Sequence, residues 1–404
     1  MSLDLTATAM QIDRMTLDLK ARQDSHDLRL GKALQAIAST DASEYERRRE
    51  LSQDTLAWNV PAALDDLGVR HAPPQTPADF CVLAVDGSHI DVDRHIPARC
   101  FLINVGVSRL TYGSRPDAEL YSEPRLYASD EELTIRDRAA AFKEQPIEGA
   151  VLGAKRTVEE IRFLAQRVRD LPEDQPTLAL VDGSLIMLGL LGRGYDDFVR
   201  RELIDDGFVQ ALEELKQLAR RRPLAVASYI SLPRSAEVVN ALRLAVCPYE
   251  VADCDRHCGD LRADDRPCHA HVGGLMDRDI WWRLLEPGQR SALFASSSPL
   301  VRNHYAGHEV CFFYLHAGEE IGRVEVPSWV AEDEASLGLT HALLYDQCRR
   351  GPGYPVALME AHEQAVVTGA DRQRFAQLVE EAMAGQRMEH RASEKSASKR
   401  VRWL

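Results

Sequence analysis

The sequence lacks any run of about 18 uncharged apolar residues, the length that a membrane-spanning helix needs. Its start, MSLDLTATAMQIDRMTLDLK, has early acidic residues and no long apolar segment, so we expect no secretory signal and a cytoplasmic location. Basic residues are in the minority, because 49 Lys and Arg stand against 63 Asp and Glu and give a net charge of −14. A generally basic surface is therefore excluded, whereas a local basic groove is not.

The order of predicted elements favours an α/β fold. Residues 1–75 have helical periodicity and predict an N-terminal helical region that ends at the proline-rich stretch HAPPQTPAD. Beyond it, strands cluster first and then alternate with helices, which predicts a mixed sheet flanked by helices. We expect this domain to span residues 76–385, with one long helix over about 130–170 that breaks near Pro146. Residues 386–404 predict a basic flexible tail.

Two apolar strands carry the same Asp-Gly-Ser ending. VLAVDGSHI contains Asp86 and LALVDGSLI contains Asp182. Uniformly apolar strands are typical of the buried centre of a sheet, and ligands commonly bind at the edge where such strands end. Neighbouring carboxylates repel each other unless a cation lies between them, so the pair predicts a Mg²⁺ or Mn²⁺ site. Strand-terminal turns, for which Asp and Gly are preferred anyway, are the alternative interpretation.

Further candidate groups lie on predicted helices. Glu159 and Glu160 precede the second Asp-Gly-Ser strand and point about 100° apart, so at most one of them faces the sheet. Near the C-terminus, GYPVALMEAHEQAVV holds Tyr354 and His362, which would lie roughly on one side if a single helix contained both. An imidazole among the ligands favours Mn²⁺ over Mg²⁺.

Taken together, these segments resemble the NurA nuclease family over roughly residues 80–385: two DGS strands with a Glu-bearing helix between them, and a late GYPVAL..AH segment. The resemblance implies an RNase H-like core related to the Argonaute PIWI domain. It also implies a Mn²⁺-dependent (or Mg²⁺-dependent) DNA endonuclease and 5′–3′ exonuclease that dimerises. Such an enzyme would act on single- and double-stranded DNA with a HerA-type hexameric ATPase, in end processing and repair or in defence.

The resemblance also assigns roles to individual residues. Asp86 and Asp182 would be metal-binding carboxylates, and Glu160 would be the helical ligand, with Glu159 as its competitor. His362 would be a further ligand or would handle a proton, and Tyr354 would position a phosphate or a water molecule.

The sequence departs from the family pattern at two places. Where the third strand would carry a lysine, the chain reads SYISLPRSAEVV, and Arg234 is the nearest cation. Residues 246–275 form a Cys/His-rich insertion whose cysteines could close a structural Zn²⁺ site or remain free thiols. These cysteines are Cys247, Cys254, Cys258 and Cys268.

Two other functions compete with the nuclease. Actin-like kinases also end strands in Asp-Gly turns near phosphate, but they need further glycine-rich loops, for which the sequence shows no convincing candidate. A nuclease-like adaptor that caps a ring ATPase without strong catalysis is the other alternative.

Overall fold

A computed structural model describes residues 4–92, 98–140, 142–191 and 194–386 of the chain. Of the predicted basic tail, all but Gln386 lies outside the described residues. The strands, in chain order, are β1 (Ala62–Ala63), β2 (Arg70–His71), β3 (Phe80–Ile90), β4 (Phe101–Tyr112), β5 (Asp117–Tyr127), β6 (Thr134–Arg136), β7 (Glu144–Pro146), β8 (Thr177–Asp182), β9 (Leu224–Ile230), β10 (Arg290–Ser291), β11 (Phe294–Ala295), β12 (Val310–His316) and β13 (Ile321–Pro327).

The α-helices, in chain order, are α1 (Leu5–Ser39), α2 (Ala42–Ser52), α3 (Asp130–Leu133), α4 (Gly149–Arg169), α5 (Asp197–Arg200), α6 (Gln210–Ala219), α7 (Glu237–Ala245), α8 (Cys254–Cys258), α9 (His269–Val272), α10 (Asp277–Leu284), α11 (Pro299–His304), α12 (Ser328–Ala331), α13 (Glu334–Arg350), α14 (Val356–Ala365) and α15 (Gly369–Gly385). Residues Leu188–Leu190 and Ala263–Asp265 form short 3-10 turns, and Arg201–Val209 is π-helical. No helix in this described part of the chain combines the length and apolar character needed to cross a bilayer.

The chain forms two compact units, each assembled from three segments. The first unit contains Met1–Ala72, Ser231–Ser298 and Cys311–Arg323. The second contains Pro73–Ile230, Pro299–Val310 and Val324–Leu404. The sequence predicts boundaries at residues 75 and 385, so that each region is one continuous segment. Each of the two units instead combines three segments that are far apart in the sequence.

The second unit is built on a mixed sheet, as the sequence predicts. Its strands follow the order β5-β4-β3-β8-β9, with β13 beside β9. β4 runs antiparallel to β3 and β5, whereas β3, β8 and β9 run parallel to one another. Residues Cys81–Val85 of β3 are completely buried or nearly so, which explains their uniformly apolar character.

Helices α4 and α14 cover the middle of this sheet. In α4, Val151, Val158, Ile161, Ala165 and Val168 recur at helical spacing and are buried, so one stripe of the helix packs on the strands. The helix α14 begins directly after Pro355, whose fixed backbone angle suits a helix start.

The two Asp-Gly-Ser segments end differently. β8 ends at Asp182, and Gly183 then takes a positive φ of 82°, which only glycine adopts without strain. β3 instead continues past its aspartate and pairs with β4 as far as Ile90. The prediction that a strand ends at this motif is therefore right for the second copy and wrong for the first.

The single long helix predicted over residues 130–170 is also wrong. This part of the chain forms α3 and then the antiparallel pair β6 and β7, and α4 begins only at Gly149. Pro146 is the last residue of β7, and Gly149 has a φ of +55°, so both residues stop a helix from extending through this region.

The first unit has a helical layer and short antiparallel strands. Its core combines residues of α1, α2, α7 and α10 with β11 and β12, and Trp281 is its largest fully buried side chain. β11 pairs with β1 and β12, and β10 pairs with β2 and β12. In α1 the buried residues Leu30, Ala33, Ala36 and Ile37 all lie in its C-terminal third, so only that part joins the core.

We predict that Gly106→Ala destabilises the protein, because a Cβ at this position would overlap backbone atoms of Ala361, Gln364 and Ala365 in α14. Overpacking of this kind costs about 1–3 kcal/mol. Urea unfolding followed by circular dichroism measures the change. Gly153→Ala on α4 is the matched control: a Cβ there meets nothing within 4 Å, and the free energy of unfolding should rise by about 0.5–1 kcal/mol. Equal stability of Gly106→Ala and the wild type would contradict this packing.

Candidate metal centre

The two aspartates lie side by side at one end of the second unit's sheet. β3 and β8 are parallel and pair Val85 with Val181, so Asp86 and Asp182 are the next residues on neighbouring strands. Side chains at matched positions of parallel strands leave the sheet on the same face. The structure thus brings together carboxylates that are 96 positions apart in the sequence (182 − 86).

Helix α14 brings His362 to Asp86. The imidazole Nδ1 lies 2.7 Å from Asp86 Oδ2. The C-terminal end of α14 is tied to the sheet, since the Ser88 hydroxyl and the Asn104 side-chain amide both donate to the carbonyl oxygen of Ala365. Gly106, which pairs with Asp86 across β3 and β4, allows the backbone of α14 to pass directly over the strand.

Tyr354 reaches Asp182 from just before the same helix. Its hydroxyl hydrogen-bonds the Asp182 carboxylate. Its ring contacts Tyr229 edge-on, with 5.6 Å between ring centroids, and Tyr229 pairs with Asp182 across β8 and β9. Tyr354 precedes α14 by two residues, so the arrangement of Tyr354 and His362 in a single helix does not occur.

Helix α4 supplies Glu160 to the same cluster, and it turns Glu159 away. The Glu160 carboxylate lies against Gly87, the residue after Asp86, and burial followed by the charges of Asp86 and Asp182 raises its pKa. Glu159 instead pairs with Lys155, at 2.7 Å between Nζ and Oε1, and with Arg162. Of the two glutamates that the sequence left open, Glu160 is the one that lies with the aspartates.

The site includes a cation and a glycine that sequence reasoning missed. Arg156 Nε lies 3.0 Å from Glu160 Oε1, but this ion pair lacks hydrogen-bond geometry, and the buried Oε1 has no hydrogen-bond partner. A Cβ on Gly87 would overlap the same Oε1. Glycine therefore leaves the space beside Asp86 that the Glu160 carboxylate fills. The i,i+4 spacing of Arg156 and Glu160 is a sequence signal that could have identified the pair.

Burial and the repulsion of neighbouring charges make Glu160 and Asp182 hard to ionise. Burial raises the pKa of Glu160 to about 7, with Asp86 and Asp182 adding to the shift and Arg156 opposing it. Burial also raises the pKa of Asp182, followed by the charge of Asp86, while the Tyr354 hydrogen bond acts in the opposite direction. A cation placed among the three groups would relieve both costs.

The Ser of the second motif binds a buried glutamate of β13. Both the Ser184 hydroxyl and the backbone amide of Leu185 donate to Glu325 Oε2, each at 2.8 Å. The Tyr305 hydroxyl donates to the carbonyl of Leu185 and accepts from the amide of Met187. Glu325 and Tyr305 thus fix the turn that follows Asp182. Neither residue carries a local sequence signal, because both come from far along the chain.

The donor set and its placement fit a divalent cation, although the side chains are not closed around one. Three carboxylates with an imidazole are the ligands that Mg²⁺ and Mn²⁺ take. Within the described ranges, no three His, Cys, Asp or Glu side chains form a group that could hold a metal ion as they stand. Glu160 Oε1 instead forms an ion pair with Arg156, and Asp86 hydrogen-bonds His362.

The other predicted residues lie in the first unit. Arg234, the nearest cation in the sequence to the missing lysine, belongs to that unit and is exposed. The thiols of Cys247, Cys254, Cys258 and Cys268 form no disulfide, and these four residues line one pocket of the first unit.

The acidic residues thus lie at the carboxyl end of parallel strands, which is where α/β proteins commonly bind ligands. The sequence model of the NurA domain matches residues 81–367, well over half of the chain. The chain therefore belongs to the NurA family, which confirms the resemblance noted from its motifs.

Solved structures give more distant matches. A crystal structure of NurA with manganese is 9% identical, with 75% of this chain and 88% of that chain covered at a TM-score of 0.35. A crystal structure of NurA bound to dAMP and manganese is 13% identical, with 73% and 86% covered at a TM-score of 0.30. No curated protein matches the sequence.

We predict that Glu160→Gln stabilises the metal-free protein at pH 8. The folded state raises the pKa of Glu160 from 4.5 to about 7. The stability that its proton contributes is therefore complete below about pH 4.5 and is lost as the pH rises through 7. Glutamine imitates the protonated form, so the variant should be more stable by about 3 kcal/mol at pH 8 and close to the wild type at pH 4.5. Urea unfolding in EDTA at both pH values measures this difference.

Glu159→Gln is the matched control with the opposite sign. Burial alone would raise the pKa of Glu159, but Lys155, Arg162 and Arg125 outweigh it and hold the pKa below its usual value. Neutralising Glu159 should therefore destabilise the protein at pH 8. The interpretation fails if Glu160→Gln lowers stability at pH 8 as Glu159→Gln does.

Proposed function

We propose that this NurA-family protein is a metal-dependent DNA nuclease that hydrolyses phosphodiester bonds. The observation that supports it best is the placement of Asp86 and Asp182 at matched ends of two parallel strands, with Glu160 of α4 against the neighbouring Gly87. The pKa values of Glu160 and Asp182 are both raised there. Such a cluster repels DNA until a cation neutralises it. The proposal includes the nuclease domain at residues 76–385 and an RNase H-like core related to the PIWI domain.

The metal ligands would be Asp86, Asp182 and Glu160, with His362 beside them. A divalent cation bound there would activate water and stabilise charge on the leaving 3′ oxygen. Carboxylates with an imidazole suit Mn²⁺, with Mg²⁺ as the alternative. Gly87 keeps the space that the Glu160 carboxylate occupies against β3.

The remaining residues of the site would orient these ligands and handle protons. His362 holds Oδ2 of Asp86 through Nδ1, so its ring can exchange a proton at that atom while it fixes the carboxylate. Tyr354 donates to Asp182 and would position a phosphate oxygen or a water molecule next to it. Glu325 keeps the turn after Asp182 in place by accepting from Ser184 and Leu185.

The family also suggests how the enzyme would work in the cell. We propose a homodimer in the cytoplasm that acts on single- and double-stranded DNA as an endonuclease and a 5′–3′ exonuclease. Its partner would be a HerA-type hexameric ATPase, in DNA end processing and repair or in defence. The net charge of −14 supports dependence on a partner that delivers the DNA, since the chain as a whole repels a polyanion.

We predict that Asp86→Asn, Asp182→Asn and Glu160→Gln each lower the rate of Mn²⁺-dependent DNA cleavage by about 10²–10³-fold, because each removes a charge that holds the cation. Glu159→Gln, on the same helix but paired with Lys155, should keep most of the wild-type rate. Cleavage of labelled single- and double-stranded DNA with Mn²⁺, Mg²⁺ or EDTA measures these rates. Comparable losses in Glu159→Gln and Glu160→Gln would contradict the assignment of the helical ligand.

The same assay separates the alternative functions. A catalytically weak adaptor would show no cleavage in the wild type yet would still bind a HerA-type ATPase. An actin-like kinase or ATPase would hydrolyse ATP on its own and would not cut DNA.

Partner binding is a separate prediction. A HerA-type ATPase from the same organism should co-elute with the wild type in size-exclusion chromatography. The double variant Asp86→Asn and Asp182→Asn should co-elute equally well, because these side chains lie at the end of the sheet and are used for the metal. If neither the wild type nor the double variant co-elutes with the ATPase, the partnership is refuted. The nuclease assignment then depends on the cleavage rates alone.

A further inference from the structure

The Cys/His-rich segment at residues 246–275 has little apolar material to hold it together. Its regular structure consists of α8, α9 and the 3-10 turn Ala263–Asp265. Its buried hydrophobic residues are Ala252, Cys268, Val272 and Leu275. A polar segment of this kind cannot fold through hydrophobic burial alone and is typically fixed by cross-links or by a metal.

The four cysteines of the segment converge on one place. Cys247 follows α7, Cys254 and Cys258 are the ends of α8, and Cys268 precedes α9, yet all four line a single pocket. Segments that are separate in the sequence thus bring four thiol groups to the same pocket, and thiolate sulfur is a ligand that zinc prefers.

One of the sulfur atoms already faces a hydrogen-bond donor. The Arg243 guanidinium donates to Cys268 Sγ at 3.7 Å. Donors of this kind stabilise thiolate rather than thiol, as they do around metal-bound cysteine.

The histidines of the segment have other contacts. His257 stacks on Tyr249 with 3.8 Å between ring centroids, and His269 pairs with Asp264 at 3.3 Å. His271 Nδ1 lies 3.2 Å from the carbonyl oxygen of Pro267. Of the possible zinc ligands in this segment, the fold therefore brings the four cysteines together.

We propose that Cys247, Cys254, Cys258 and Cys268 bind one structural Zn²⁺ ion that fixes this segment in the first unit. Four thiolates complete the tetrahedral shell of zinc and leave no position for a substrate, so the site would be structural and not catalytic. The sulfur atoms do not yet surround a common point among the described residues. Cys247, Cys254 and Cys258 are partly exposed, so their side chains would have to turn toward the ion when it binds.

The site is independent of the nuclease assignment, because it uses no residue of the carboxylate cluster. Zinc binding should contribute to the stability of the first unit, since its free energy of binding becomes free energy of folding. Removing zinc should therefore weaken the attachment of the segment to α2. That attachment comprises the hydrogen bonds of Arg48 to the carbonyls of Ala245, Cys247 and Tyr249.

The test measures the metal content of the full chain, purified without chelators, by mass spectrometry of the elements. We expect about one zinc ion per chain in the wild type and in Asp86→Asn, and less than about one-tenth in Cys254→Ser/Cys258→Ser. Cys100→Ala, a buried cysteine outside the segment, should keep its zinc. Cobalt substitution of the wild type should give thiolate-to-metal charge-transfer absorption, which reports sulfur ligands even if the double variant folds poorly.

The proposal is overturned by wild-type protein that contains less than about one-tenth zinc per chain and shows no such absorption with cobalt. It is also overturned by an intact mass that reveals a disulfide among the four cysteines in place of bound metal. Loss of zinc in Asp86→Asn with retention in the cysteine variant would place the ion in the carboxylate cluster and would equally refute the site.

Discussion

Repulsion between neighbouring carboxylates is the constraint on which the second unit's site depends. Asp86 and Asp182 leave neighbouring parallel strands on one face, and Glu160 joins them from α4 although burial already opposes its charge. Apolar side chains at these three positions would make the protein more stable, since like charges that are removed from water cost free energy. The protein instead keeps the three acids near one another, where Arg156 pairs with Glu160 and His362 hydrogen-bonds Asp86. The binding of a cation, which we propose for this site, would offset that cost.

The two copies of Asp-Gly-Ser use the same three residue types for different tasks. In the first copy the glycine makes room for Glu160 and the serine anchors the end of α14. In the second copy Gly183 takes the positive φ that ends the strand, and Ser184 binds Glu325. Only the aspartates are equivalent. The repetition therefore reflects two parallel strands delivering an acid to the same edge, while the residues that follow adapt to different neighbours.

The sequence predicts the α/β class, the mixed sheet and the pairing of the aspartates, because these depend on local apolar patterns and on where parallel strands end. It cannot decide between Glu159 and Glu160, because both fit the helix and only the sheet distinguishes them. The prediction of one helix over residues 130–170 is wrong because charged residues are compatible with a helix and with a hairpin. Pro146 at the end of β7 and the positive φ of Gly149 exclude the single helix, but only the structure shows these two positions. The roles of Glu325 and Tyr305 depend on contacts more than a hundred positions away, which no local pattern encodes.

Two glycines inside strands, Gly87 and Gly106, determine how closely helices can approach the site. Gly87 follows Asp86 on β3, so its missing side chain faces the side of the sheet opposite to that of the aspartate, and α4 approaches there. Gly106 pairs with Asp86 on β4, and α14 approaches on that side. Glycine weakens a strand interior and is retained where another group must come close to the backbone. The helices α4 and α14 can therefore approach β3 closely from opposite faces, because neither glycine position carries a side chain. Glu160 thereby reaches β3 at Gly87, and His362 reaches the Asp86 carboxylate.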